Sequence, residues 1–320
     1  MTYIHFRSFP RFAFYIALAL NFVILHFVAS AQSPLVFMTA DSTVHRFDNG
    51  IQTSSFGLSG GGAFHGVTIH NGNILVADYT GNAIRRASPS GATLSNFASI
   101  PDPTFLESDR SGNVYTNPSA LGAPGATRLN SAGVVTQTFF HATMNENAGM
   151  DADAAGNVYI ADRTGLTTTL FKFAPNGTFI NSTPLGAFRA RDLAIDEAGN
   201  RLFLTDTGSP IGIKIFDISG LIPVATGGIT TPLGATIEGI HYAAESGRIL
   251  ATDFGVPSNN PRGFEYSPAD TLLWTYDPSS NVAFDITTYV IPEPTSVGLL
   301  LVGAFGWRFY SRRWMRRASA

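Results

Sequence analysis

A chain without cysteine must do any chemistry with carboxylates, amides, hydroxyls and imidazoles, and in this sequence the first of these recur at regular spacing. Asp151-Ala152-Asp153, just ahead of Gly156-Asn157, has the alternating acids with which a calcium loop begins. The further spaced acids and the closing Glu of such a loop do not follow. Asp109, Asp153 and Asp196 each precede a Gly-Asn pair, where a short acidic side chain accepts hydrogen bonds from turn amides. Asp78, Asp162, Asp206 and Asp253 each close an apolar run, and their expected task is to fix the turn that comes next. His65, Glu146-Asn147, Glu238, His241 and Asp285 are further side chains of catalytic type, and they can act together only if the fold gathers them. Other constellations fail on context. Gly60-Gly61-Gly62 lacks the Lys-Ser/Thr of a phosphate loop. Gly57-Leu58-Ser59-Gly60-Gly61 lacks the strand-to-helix setting of a nucleophile elbow. A thiolate nucleophile and a cysteine-ligated metal are excluded.

The elements that carry these residues form a repeat. Gly72-Asn73-Ile74-Leu75-Val76-Ala77-Asp78 and Gly156-Asn157-Val158-Tyr159-Ile160-Ala161-Asp162 are its clearest copies. With the variant copies, the terminal Asp or Asn falls at 41, 78, 117, 162, 206 and 253, at intervals of 37 to 47 residues. That is the length of a propeller blade, and six copies predict an all-β, six-bladed β-propeller over residues 32–290. Each repeat reads as four strands. An inner strand such as Gly66–His70 is followed by an apolar second strand buried on both faces. A third comes next (Thr169–Ala174, Ile213–Ile218), and an outer fourth follows a turn such as Pro175-Asn176-Gly177 (Thr178–Ser182). The first blade begins at its second strand, Leu35–Asp41, and a spare strand, Val282–Tyr289, is left over at the end. The surplus is expected to fill the gap and close the ring, protecting strand edges.

Aligning the repeats puts His65, Thr104, Ala148, Arg191 and Glu238 at one position, where the inner strands start and converge on the channel mouth, with Asp285 near the equivalent place in the closing strand. His241 and Glu146-Asn147 lie close to this ring in sequence. Thr104 and Ala148 interrupt it, and Arg191 would repel a cation.

The run Val76-Ala77-Asp78-Tyr79-Thr80-Gly81-Asn82-Ala83-Ile84-Arg85 resembles the NHL repeat, and residues 34–290 as a whole resemble the NHL and gluconolactonase-like six-bladed propellers. That group holds binding scaffolds, lactonases and lyases alike, so the resemblance speaks for a fold more than for a function. It implies a divalent cation such as calcium in the channel, with Asn147, Glu238 and Asp285 as the candidate ligands. Streptogramin lyases of similar fold imply a general base, for which His65 or His241 is the candidate, with Glu238 as the nearby acid.

The two ends carry separate signals. Arg7 and Arg11 precede an apolar run, Phe12 to Val28, and Ala29-Ser30-Ala31 gives the small-residue pattern of a signal-peptidase site, so residues 1–31 read as a secretory signal peptide cut before Gln32. At the far end Pro292-Glu293-Pro294 precedes an apolar stretch, Val297 to Trp307, and an arginine cluster that the positive-inside rule keeps cytoplasmic. Pro-Glu-Pro, one transmembrane helix and terminal arginines, in that order over 291–320, resemble the PEP-CTERM sorting signal of Gram-negative bacteria. The resemblance implies an exosortase-type enzyme that reads Pro292, Glu293 and Pro294, anchorage in the inner membrane until processing, then release to the cell surface or the extracellular polysaccharide. Two of the 20 basic residues lie in 1–31 and five in 295–320, where there is no acid. The body therefore sets 13 bases against 23 acids, a net charge of −10, which argues against nucleic acid as a partner.

Two classes of function follow. One is a surface or matrix protein that binds extracellular polysaccharide or other exported proteins, through blade loops whose Gly, Ser, Asn and Thr suit neutral polar ligands. The other is a metal-dependent lactonase or lyase at the channel mouth.

Overall fold

In a computed structural model of the chain, the described residues are 34–290 apart from 59–61, 119–124, 208–211, 233–234, 255–261 and 279–282. The expected signal peptide, with Ala29 and Ala31, and the expected sorting tail and its helix, with Pro292, Glu293 and Pro294, lie outside them. Among the described residues no helix is long and apolar enough to cross a membrane.

Turn chemistry sets up the strands. At Asn71-Gly72 both residues have positive φ, 48° and 72°, the geometry of a two-residue hairpin whose twist matches its strands. It links Phe64–His70 to Asn73–Asp78, of which Ile74 to Asp78 are all buried. The same hairpin logic repeats to give six four-stranded antiparallel sheets. Their inner strands are Ala283–Tyr289, Phe64–His70, Pro103–Ser108, Asn147–Ala152, Leu193–Asp196 and Ile237–Ala243, for blades one to six. Each inner strand packs beside the next, and the sixth beside the first, so the ring closes. The six-bladed expectation is met.

So is the closure. Ala283–Tyr289 pairs antiparallel with Leu35–Ala40, with Met38 opposite Ile286 and Leu35 opposite Tyr289. The expected strand began one residue earlier, at Val282, which lies outside the described residues. Hydrophobic cores sit between neighbouring blades. Tyr159 and Leu170 of blade four pack with Leu193, Leu202 and Phe216 of blade five. Val36, Met38 and Phe47 of blade one pack with Leu250 and Tyr276 of blade six.

Two of the aspartate readings shift by one residue. The pairing places Ala40 and Pro118 where Asp78, Asp162 and Asp253 stand in other blades. Asp41 therefore falls one residue past that position and Asn117 one short of it. Asn117 does the work of Thr205 and Thr252. All three side chains accept backbone N–H groups at the start of the inner strand: Phe105 on Asn117, Arg191 and Asp192 on Thr205, Gly239 on Thr252.

Close approach of the inner strands has a clear sequence signature. A Cβ at Gly66 would lie 2.3 Å from the Thr104 carbonyl oxygen and 2.6 Å from the Leu106 nitrogen; one at Gly239 would lie 2.5 Å from the Phe284 oxygen. These neighbours are backbone and cannot swing aside. Gly66→Ala should therefore destabilise the protein by about 1–3 kcal/mol, the usual range for overpacking. Chemical denaturation that finds the variant as stable as the parent would refute this close packing.

Candidate functional site

The turn aspartates are structural. Asp109 accepts the amides of Ser111 and Asn113 and the Tyr115 hydroxyl; Asp153 does the same with Ala155, Asn157 and Tyr159. Asp196 holds Gly199 N and Arg201. The aspartates that end the second strands reach further back than expected. Asp78 caps Gly81 N in the following turn, but it also takes Gly62 N, ahead of its own inner strand. Asp162 accepts Asn145 N and Glu146 N, and Asp253 accepts Thr236 N. They fix the entry to the channel wall, and Asp78 and Asp253 add an arginine from the third strand, Arg85 and Arg262.

At the channel mouth the strand register puts Phe284, not Asp285, level with His65, Thr104, Ala148, Arg191 and Glu238. The ring divides in two. On one side His65 stacks between Tyr79 (4.7 Å between ring centroids) and Phe284 (4.3 Å), and Phe254 meets Phe284 edge-on at 5.7 Å. All four rings are partly exposed. Burial lowers the His65 pKa to about 4, so its imidazole is neutral at physiological pH. On the other side Arg191 Nε lies 3.4 Å from Glu238 Oε2, and Arg163 pairs with Glu146. Burial raises the Glu238 pKa while Arg191, Arg163 and Arg189 pull it back.

The candidate cation ligands are not gathered. Asn147 Nδ2 donates to the Gly125 carbonyl and Glu238 faces Arg191. Asp285 spends both oxygens on amides, Oδ1 on its neighbour Ile286 and Oδ2 on Val67 of blade two, 2.8 Å each. Among the described residues no group of three or more His, Asp or Glu side chains is placed to hold a metal ion.

One level deeper lies a feature that the ring alignment passed over. Asp285 has a counterpart in Asp192, whose oxygens take Leu193 N and, across the blade gap, Ile240 N at 2.9 Å. Two residues further along the inner strands come Glu107, Asp151 and His241. Asp151 repeats the staple with Ala152 N and Ile195 N of blade five. His241 Nδ1 is 4.0 Å from Glu107 Oε2, and its Nε2 is 3.4 Å from Thr288 Oγ1. Blades one, three, four, five and six thus each send a titratable group into one belt around the channel. Burial is the main force on all of them. It raises Glu107, Asp192 and Asp285 well above the carboxylate range and Asp151 to about 7, and it lowers His241. Mutual repulsion adds to it: Asp151 acts on Glu107, Asp285 on Asp192, and Glu107 on Asp285. Glu107 and His241 keep 12 % and 19 % side-chain exposure, which fits groups facing a narrow channel rather than bulk water. The sequence signal was available, since the belt sits at fixed offsets of one and three residues after the mouth ring.

No protein-family model matches the sequence, and no curated protein matches it. Solved structures do resemble it. A chain from a nidogen/laminin complex superposes with a TM-score of 0.65 at 14% identity, over 81% of this chain and 99% of that one. A Bacteroides caccae protein of unknown function gives 0.60 at 14%, over 80% and 99%. A gluconolactonase from Xanthomonas campestris gives 0.57 at 11%, over 81% and 84%. At such identities the likeness is one of fold, and it spans a binding complex and an enzyme.

Proposed function

We propose that this chain is an exported propeller of the cell surface or extracellular matrix that works by binding extracellular polymer rather than by catalysis. The observation that carries this is the employment of the candidate catalytic groups. His65 is sandwiched between two rings and too weakly basic to be a good general base near neutral pH. Glu238 faces Arg191. Asp285 is stapled to two backbone amides. His65 and Asp285 have structural tasks that catalysis would have to undo, and Glu238 faces an arginine where a metal site would need a cation. The end signals supply the route: cleavage after Ala31, passage across the inner membrane, and removal of the tail at Pro292-Glu293-Pro294 by an exosortase-type enzyme. In this reading Glu293 and its flanking prolines serve the processing enzyme, not this protein's own chemistry.

Two measurements test it. Mature protein from the native host should lack Arg316 and Arg317 by mass spectrometry and should co-purify with extracellular polymer. Purified protein should hydrolyse no lactone or ester in the presence of calcium or zinc. Turnover of a lactone with stoichiometric bound metal, abolished in Glu238→Gln, would establish the enzyme reading instead. Intact terminal arginines on mature surface protein would turn the tail into a plain anchor.

A further inference from the structure

The mouth ring keeps hydrogen-bonding atoms unused. Glu238 is only 9 % exposed, and its carboxylate is ion-paired with Arg191. Arg191 Nε, though 3.4 Å from that carboxylate, has no hydrogen-bond partner. Arg163 is 6 % exposed, and its Nη1 is likewise unpartnered. Burying such atoms without partners costs about 1–3 kcal/mol each. Finding two of them on one arc of a channel mouth is unusual, because most buried polar groups are satisfied. Arg191 Nε lies 3.4 Å from Glu238, and Arg163 also acts electrostatically on that carboxylate. The opposite arc is the partly exposed aromatic ledge of Tyr79, His65, Phe284 and Phe254. Blade six joins the two arcs, carrying Glu238 at one end of the charged side and Phe254 at one end of the aromatic side.

We propose that the channel mouth is a subsite for a neutral saccharide, with the Tyr79–His65–Phe284–Phe254 ledge against its C–H face and the Glu238, Arg191 and Arg163 arc on its hydroxyls. This rests on the binding function proposed above and names its ligand class. The chemistry selects the ligand. Glu238 accepts donors, while Arg191 and Arg163 need acceptors; a hydroxyl offers both from one atom. Sugars present hydroxyls on adjacent carbons beside an apolar ring face, which matches an aromatic wall next to a polar one. A polyanion is disfavoured by a body of net charge −10. A cation is disfavoured by the three arginines around Glu238. Blade loops alone, the binding surface suggested by their composition, hold no comparable set of unsatisfied groups among the described residues.

The test is binding of the full chain to soluble neutral oligosaccharides, with polyuronates and polylysine as charged comparators, read by calorimetry or on a glycan array. Glu238→Gln keeps the shape but removes the charge, and Tyr79→Leu removes a ring from the ledge. Each should weaken neutral-glycan binding at least about tenfold while the thermal melt stays within a few degrees of the parent. Trp274→Ser probes the rival location, since Trp274 is an exposed aromatic (45 %) on the outer strand of blade six; binding should survive it. Undiminished binding in both mouth variants, or loss in Trp274→Ser alone, would overturn the mouth site while leaving a glycan-binding function standing. Preference for a charged polymer would overturn the neutral ligand class. Binding to no glycan at all would overturn both this inference and the polysaccharide function.

Discussion

Deleting Ala283–Tyr289 should leave no soluble monomer. The segment is the inner strand of blade one, and Leu35–Ala40, its partner, is buried along its whole length. Without it, a row of backbone N–H and C=O groups on that buried strand loses its ladder and becomes an open edge, the usual start of edge-to-edge aggregation. The damage spreads beyond one blade. Asp285 Oδ2 is lost to Val67 N of blade two, Phe284 no longer stacks on His65, and the Thr39 hydroxyl loses the Asp285 carbonyl. A graded version keeps the result interpretable. Ile286 is fully buried in the core between blades one and six, so Ile286→Ala should cost about 2–5 kcal/mol. In a domain of this size that is a fall in Tm of roughly 2–4 °C per kcal/mol. A chain ending at residue 290 retains every closing contact and should melt like the parent. Size-exclusion chromatography and thermal melts decide the matter: a monomeric, cooperatively melting deletion variant would mean that the ring does not depend on this strand.

That closure was legible because it rests on a count. A blade with one strand too few and a terminus with one too many have a single tidy solution, and strand identity is written in short apolar runs between Gly-Asn turns. The mouth was less legible because it depends on register to a single residue. Side chains alternate along a strand, so reading Asp285 for Phe284 exchanges a carboxylate that staples two blades for an aromatic ring that stacks on His65. The inner strands bulge near their start, between Phe64 and Val67 and again between Ile237 and Ile240, and no composition rule marks a bulge. Asn117 was misplaced for a similar reason, since Pro118 takes the position that Asp holds elsewhere. The acid belt escaped notice because acids are rarely buried unless paired. Asp151, seen as half of a calcium-like pair with Asp153, in fact faces the channel, while Asp153 turns to its own loop. The unused hydrogen-bonding atoms of the mouth could not be read at all, because satisfaction is a property of three-dimensional neighbours.

The acid belt should make the protein more stable at mildly acidic than at alkaline pH, against the common pattern in which acid denatures. Glu107, Asp192 and Asp285 have folded-state pKa values well above their unfolded ones, and Asp151 is raised to about 7. Such groups hold protons in the folded chain that the unfolded chain has already released. Their stabilisation is complete below the unfolded carboxylate range and is lost as pH rises through the folded values. A tenfold difference in proton affinity between the folded and unfolded chain is worth about 1.4 kcal/mol. Asp151 alone therefore removes on the order of 1 kcal/mol between about pH 6 and about pH 8.5, and the other belt acids add to it. Histidines set the opposite limb. His65, His241, His45 and His70 are all lowered by burial; their contribution is present above the unfolded value near 6.5 and is lost as pH falls below it. Below that value the two trends oppose each other, and above it the belt's decline stands alone. Thermal melts should show Tm several degrees lower at about pH 8.5 than at about pH 6. Asp151→Asn removes the charge but keeps only one of the two oxygens that accept the Ala152 and Ile195 amides, so it should lower Tm at both ends while narrowing the gap between them. A Tm that is level or still rising from about pH 6 to about pH 8.5 in the parent, or a gap unchanged in Asp151→Asn, would mean that the belt is charged and solvated in the folded protein, and the channel would then have to be wide enough to hydrate all of its titratable groups at once.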